Sequence, residues 1–597
     1  MNATTIQTRD ADRRDVKKSR IAHYFKPSVS RTTLAVASAL AMLMVNAPVH
    51  AQTNGSNESA MVRLIKGLID SGALKKDVGE ALLAQAQAES LTAQQAQRQA
   101  AAPATASAAQ AGDVRVPYVS QSVRNQIRDE VKQEVMAQAK TEGWATPNEM
   151  PEWTKRIQFE GDVRLRNESR LFASDNNDYT SDYNAINAGS GYDINQNNYK
   201  SVPMPNTLQS RKNIWRARAR LGILATISEN TKAGIRLATG GDNGPTSTTQ
   251  TLGGGLGKKN IWLDQAWFSY RVMPGMEVVG GRFANPFYSH DILFSGDLNF
   301  DGIAAKFDRQ LANKDVSVFG TLGVIPLEYS SDNTPKFTSN KAKSENRWLL
   351  GAQIGADWKL DDTNKLRGAL AYYHFHNISG QISSECNVAV DGECNTDWSR
   401  PAFMQKGNTM MALRHIQLDA TNPSLTPLPQ YFGLASKFQL LDINTRWDTK
   451  VAGDLPLRLD ANYIRNLAYS TSKMLARANS NPTGGIANNF TVNSNTDLTS
   501  GGNAFLLQAT LGKLSPSVKN DWNVYVNYRR IEPDALPDAY NDSSFNLGGT
   551  NTRGFTLGGA YAIDTNTTLN GRWMSSRQVY GAPLAIDVLQ VELNTRF

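Results

Sequence analysis

The chain has 597 residues, of which 40% are hydrophobic and 20% charged, with a formal charge of +8 at pH 7. That composition excludes a polytopic helical membrane protein, which needs repeated apolar runs of about 20 residues. It leaves open a membrane β-barrel, whose strands alternate apolar and polar residues. With only two cysteines, neither a disulfide scaffold nor a Cys-rich metal site is available.

Residues 1–51 hold eight of the 63 Lys/Arg and three of the 55 Asp/Glu, leaving 55 basic against 52 acidic residues. The remainder is nearly neutral and gives no footprint of nucleic-acid binding. Residues 20–33 are basic, Leu34–Val45 is an apolar run too short to span comfortably, and Val49-His50-Ala51 is a small-residue site of the Ala-x-Ala type. Residues 1–51 are therefore read as a signal peptide with a long leader, and the chain as an exported one. No Cys follows the apolar run, so a lipid-anchored form is not expected.

Residues 52–152 are predicted as a periplasmic helical segment. Met61, Leu64, Ile65, Leu68 and Ile69 share one helical face, and Leu74, Val78, Leu82 and Leu83 resume it after Ser71-Gly72. Residues 89–112 are an Ala/Gln-rich linker. Val123, Ile127, Val131 and Val135 then recur every four residues. One narrow stripe needs a partner, which points to a coiled coil or helical hairpin; a solvated arm is the alternative.

From Ile157 the period changes to two and stays two to Phe597. Sixteen segments follow, at about 157–167, 213–227, 231–239, 260–273, 276–284, 298–310, 315–324, 346–360, 364–377, 436–452, 455–468, 500–514, 518–531, 552–563, 567–578 and 588–597. Most are longer than soluble strands of about 5–6 residues and suit strands tilted across a bilayer. Connections after even-numbered segments are tight, as at Pro274-Gly275 and Gly453-Asp454. Those after odd-numbered segments are longer, up to 378–435. Short turns at one end and long loops at the other are expected of an outer-membrane barrel. Residues 153–597 are thus predicted to form an all-β transmembrane barrel of about 16 antiparallel strands, with both ends in the periplasm.

In the second segment Trp215, Ala217, Ala219, Leu221 and Ile223 form one face, and Arg216, Arg218 and Arg220 the other. An arginine facing lipid near the midplane costs about 2–4 kcal/mol, so the three are assigned to the lumen. Parity adds Arg164, Arg166, Arg236 and Arg282 as pore-lining candidates. It also turns Arg446, Arg458, Arg529, Arg572 and Arg596 inward, with Asp460 and Glu592 among the acids. These arginines read either as a cationic wall or as partners in Arg–acid braces. Trp153, Trp215, Trp262, Phe283, Trp348, Trp358, Tyr463 and Trp522 near strand ends read as interfacial girdles.

Cys386 and Cys394 in the longest loop are expected to pair as a disulfide in an oxidising milieu. His374 and His376 share a face, but without a third ligand they read as wall or girdle residues rather than a metal site. No phosphate loop, metalloprotease motif, nucleophile elbow or convincing acid pair is found, so neither an enzyme nor a cofactor is expected.

Residues 114–153, GRFANPFYSHDILFSGDLNFDGIAAKF (281–307), SSFNLGGTNTRGFTLGGAYAI (543–563) and GAPLAIDVLQVELNTRF (581–597) resemble a family of Gram-negative putative porins. The resemblance implies a periplasmic helical segment, a C-terminal barrel and no fixed substrate. The terminal Phe597 is similar to the signal read by the barrel-assembly machinery. General porins narrow the pore with a long third external loop. The matching loop here, 285–297, is short, so loop 378–435 is considered as the inward-folding element instead.

The resulting expectation is a trimeric outer-membrane channel for small hydrophilic ions and solutes, set among outer-membrane lipid and lipopolysaccharide, with modest anion preference. An anion- or phosphate-selective channel is one alternative. A structural or adhesive protein that displays surface loops is another.

Overall fold

The computed structural model describes residues 128–133, 154–195, 205–207, 213–241, 244–329, 345–418, 427–490 and 497–597. The signal peptide, the first helical stretch and the linker lie outside the described residues, as does Trp153. Residues 128–133, within the second stretch, are helical and exposed.

Sixteen long strands follow: β1 Ile157–Phe172, β2 Asn213–Thr226, β3 Thr231–Thr239, β4 Ile261–Met273, β5 Met276–Ala284, β6 Asn299–Gln310, β7 Val316–Glu328, β8 Arg347–Lys359, β9 Lys365–His376, β10 Phe438–Val451, β11 Leu455–Asn466, β12 Asn503–Gly512, β13 Trp522–Ile531, β14 Thr552–Asp564, β15 Thr567–Gln578 and β16 Ala585–Arg596. Each pairs antiparallel with its neighbours in sequence. β16 returns to β1 in register from Asp162↔Arg596 to Phe172↔Ile586, so the sheet closes. A two-residue piece, Gln250–Thr251, pairs with β2 beyond the end of β3. Closure leaves no lipid-facing edge whose peptide groups lack partners.

Loop length segregates by end, as the sequence predicts. Turns such as 274–275, 452–454 and 565–566 lie at one end, and loops such as 173–212, 377–437 and 532–551 at the other. The tight turns are locally encoded. Gly275 has φ +81°, and a Cβ there would stand 2.2 Å from Asp308 O. In turn 360–364 the Asp361 carboxylate accepts from Thr363 N and Asn364 N, both at 2.7 Å. Hydrogen bonds from the Thr363 and Asn364 side chains, then from their backbone N–H groups, hold that carboxyl well below the usual range.

The outer face carries the exposed apolar set, including Leu221, Ile235, Leu322, Ile354, Leu507 and Leu557. Trp215, Trp262, Trp358, Tyr463 and Trp522 lie on it too. Phe283 does not: it is 3% exposed, inside the barrel, and the girdle assignment is corrected for it. Its group is large. Phe300, Tyr373, Phe375, Phe438 and Ile464 also point inward and pack with Phe287, Leu293 and Met410 from the loops. The rule that apolar residues face lipid fails here because inserted loops supply the apolar partners.

The seam ends on Phe597. Its N–H donates to Gly161 O (3.1 Å), and Gly161 N–H donates to Phe597 O (2.9 Å). Its ring covers Gly161, where a Cβ would meet the ring at 2.5 Å. Deleting Phe597 removes both seam bonds and the ring. The barrel is then expected to lose roughly 2 kcal/mol or more from two hydrogen bonds plus apolar cover. The check is the fraction of heat-modifiable protein in outer membranes: it should fall, and an unchanged fraction would show that the seam closes without Phe597.

Candidate functional site: the charged lumen and its loop

The interior charges are organised by register. Across β1 and β2, Arg166 stands opposite Arg216, Arg164 opposite Arg218 and Asp162 opposite Arg220. Like charges directly opposite repel, and the fold answers with interleaved acids. Arg166 meets Glu592 of β16 at 2.6 Å. Arg216 meets Glu168 at 3.2 Å. Arg218 and Arg220 share Asp162, at 2.6 and 2.5 Å. Arg164 donates to Thr249 Oγ1 at 2.5 Å and lies 3.9 Å from Glu592. On the neighbouring wall Arg236 meets Asp264 at 2.6 Å, while Arg282 meets Asp301 at 3.0 Å on the face opposite to Phe283 and Phe300.

The structure therefore brings Arg164, Arg166, Arg216, Arg218 and Arg220 into one cluster and leaves Arg236 paired beside it; Arg282, next to inward-facing Phe283 and opposite Asp301, falls on the outward parity of β5, and its pore-lining assignment is corrected. Each of the seven has a carboxylate within ion-pair distance. Arg572 of β15 differs. Its Nε donates to Gln590 and its Nη2 to Ser544 Oγ at 3.2 Å. Among the described residues it has no carboxylate at ion-pair distance.

The short loop 285–298 crosses this lumen. Phe287 lies against β7 and β8 where Gly323 and Gly351 leave room; a Cβ on either would stand 2.8 or 2.5 Å from its ring. Tyr288 N–H donates to Gln353 Oε1, and Gln353 Nε2 donates to Tyr288 O, both at 2.8 Å. The Arg367 and Arg446 guanidinium groups lie 4.7 and 5.1 Å from the Tyr288 ring. Asp291 reaches Arg529 of β13 at 3.2 Å. At its far end Asp297 returns to β2, at 3.2 Å from Arg218 and 3.6 Å from Arg220, and accepts from Thr248 N and Oγ1. Burial alone would raise the Asp297 carboxyl, but Arg218, Arg164 and Arg220 outweigh it and hold it below the ordinary value.

Length alone therefore misjudges this loop, which enters the barrel. The described residues of loop 377–437 also fold inward, but against other long loops. Met410, Met411 and Leu413 are wholly buried. Asn408 Nδ2 donates to Pro533 O (2.6 Å) and Leu536 O (2.9 Å), and Thr409 N–H donates to Asp534 Oδ1 (3.0 Å). Within this loop Cys386 and Cys394 are disulfide-bonded, with Cα atoms 5.8 Å apart. His374 and His376 lie on the outer face of β9, opposite Leu350 and Trp348. Among the described residues no group of three or more His, Cys, Asp or Glu is arranged to hold a metal.

Two cavities lie along the charged interior. One, of about 530 Å³ at the long-loop end, is lined by Arg170, Arg216, Thr249, Gln250 and Lys406. The other, of about 470 Å³ at the short-turn end, is lined by Arg164, Arg166, His290, Arg572 and Glu592.

The family model described as putative porin matches residues 58–597. The chain belongs to that putative porin family. No curated protein matches it. Among solved structures, Pseudomonas putida OprB is similar at 11% identity and TM-score 0.38, covering 74% of this chain and 95% of that one. Acinetobacter baumannii DcaP (10%, TM-score 0.33) and Salmonella typhi OmpF (8%, TM-score 0.34) each cover 74% of this chain and 97% of theirs. Family and fold together support an outer-membrane porin channel.

What the sequence reading of this porin missed is Asp297 and the other acids of the loop. The available signal was the apolar density of Phe287, Tyr288, Ile292, Leu293 and Phe294, unusual for a surface loop. Asp297→Asn removes one negative charge beside Arg218 and Arg220. A charge pair in a water-filled lumen is worth about 1 kcal/mol, so anion-over-cation permeability should rise roughly fivefold. Reversal potentials across a KCl gradient read it directly, and an unchanged value would place Asp297 off the ion path.

Proposed function

We propose that this outer-membrane porin is a passive diffusion channel for small hydrophilic solutes with a modest anion preference. The observation that carries the reading is the pair of cavities along the barrel interior, lined by more arginines than carboxylates. Size exclusion follows from the loop and the packed long loops. The charge bias follows from Arg572 and from the incomplete neutralisation of the β1–β2 cluster. Ion pairing lowers that bias below what bare arginine rows would give, because each carboxylate cancels much of its neighbour's field within a screening length of about 8–10 Å.

The rest of the reading is topological. The short turns face the periplasm and the long loops the exterior, in contact with lipopolysaccharide. Residues 1–51 act as the export signal, residues 52–152 form a periplasmic helical segment, and 153–597 form the barrel. Phe597 is offered to the barrel-assembly machinery, and the barrels associate as a homotrimer. An epitope inserted near Gly392 should be labelled on intact cells, and one near Asp362 only after permeabilisation. The opposite labelling would reverse the orientation.

Purified protein in a planar bilayer tests the channel. Stepwise ion conductance is expected, with the reversal potential in a KCl gradient displaced toward that of chloride. A silent bilayer would favour a loop-displaying structural protein. Conductance with cation preference would remove the anion reading alone.

A further inference from the structure

The cavity at the short-turn end carries more than a general charge bias. Loop 285–298 roofs it with His290, and turn residues Leu514, Ser515 and Pro516 border its other end. Six arginines line it, from two separate stretches of wall: Arg446 and Arg458 on β10 and β11, and Arg164, Arg166, Arg572 and Arg596 on β1, β15 and β16. Only two carboxylates line it with them, Asp460 and Glu592. Asp460 is taken by Arg446 at 2.8 Å and Glu592 by Arg166 at 2.6 Å. Arg458 pairs with Asp448 at 2.6 Å. Arg572 and Arg596 have no carboxylate at ion-pair distance among the described residues.

Between the two arginine-bearing stretches runs a neutral polar strip of Gln508, Thr510, Asn523 and Tyr525 on β12 and β13. From β11 to β15 is four strand steps of about 4.8 Å along a curved wall, and the long arginine side chains reach back into that gap. The Nε atoms of Arg164 and Arg166 are enclosed and donate to nothing in the protein, and buried His290 Nε2 also lacks a hydrogen-bond partner. The excess of guanidinium groups over carboxylates around the cavity favours an acceptor from outside the chain.

The geometry points to a solute-binding station here for small dianions with one negative group at each end, such as a short dicarboxylate or an equivalent phosphate ester. One group is held by the Arg572 side and the other by the Arg446 side, with the solute's middle over the neutral strip. A volume of about 470 Å³ admits a solute of this size and lies in the range of ordinary small-molecule pockets. A monoanion engages only one side and is held more weakly. The inference rests on the channel reading and adds a ligand class and a place to it.

The test uses full-length protein in planar bilayers, conducting KCl, with glutarate or butyrate added to either side. Glutarate should interrupt the KCl current reversibly, and butyrate should not at the same concentration. The half-blocking glutarate concentration should rise about tenfold in Arg572→Gln and in Arg446→Gln. Arg596→Gln, an exposed side chain at the rim, should raise it in the same direction without disturbing a packed pair. Lys314→Gln, an exposed turn residue away from the lumen, should leave it unchanged. 3-Phosphoglycerate, with a carboxylate at one end and a phosphate at the other, is added in a separate run and should block as glutarate does. If glutarate and butyrate act alike, or if block survives both Arg572→Gln and Arg596→Gln, the station is wrong while the channel stands. A bilayer that never conducts KCl overturns both.

Discussion

Closure of β16 onto β1 is the interaction on which the rest of the structure depends. In hydrocarbon an unpaired peptide group costs several kcal/mol, so a sixteen-stranded sheet is viable in lipid only without edges. The register that closes it also brings Glu592 beside Arg166 and Gln590 beside Glu168. The same ladder that satisfies the backbone thus fixes which charges meet inside. A one-residue slip of β1 at the seam would turn Arg164 and Arg166 toward lipid and Leu165 inward. Backbone pairing and interior electrostatics therefore select the same register, which is a reason for it to be unique.

Much of this was legible in the chain. A period of two, with lipid on one face, gives a strand by arithmetic, and β3, β5 and β15 coincide with the segments read from sequence. β1 runs five residues beyond its reading, to Phe172. Asn167 and Ser169 occupy outward positions there and break the apolar alternation, while their backbones still pair with β2 and β16. Loop parity was legible because turn residues such as Gly275 and Asp361 are local signals. The inner apolar face was not. Tyr373, Phe375 and Phe438 share a parity with arginines elsewhere in the barrel, and only the loops folded against them explain their chemistry.

The partners of the arginines were also beyond sequence reasoning. Parity shows that Arg218 points inward; it cannot show that Asp297, 79 residues on, comes to meet it. Isolated guanidinium rows and braced pairs have the same one-dimensional pattern. Three-dimensional placement separates them: the β1–β2 arginines are braced, whereas Arg572 and Arg596 have no carboxylate at ion-pair distance among the described residues. A buried pair stripped of one partner leaves a costly uncompensated charge, so the braced β1–β2 members offer less net charge to a passing ion. The selectivity of the path accordingly moves from the arginines most obvious in sequence to those least so.

Constriction and selectivity then share one element. Loop 285–298 is anchored at one end by Phe287 against two wall glycines and at the other by Asp297 between Arg218 and Arg220. The first anchor is apolar and insensitive to salt. The second is ionic, in a lumen where added electrolyte screens it. Because Asp297 both ties the loop down and cancels charge on the wall, the loop cannot loosen at that end without making the wall more positive. A wider path in this barrel is therefore also a more anion-attracting one, and the two properties cannot be tuned independently through that residue.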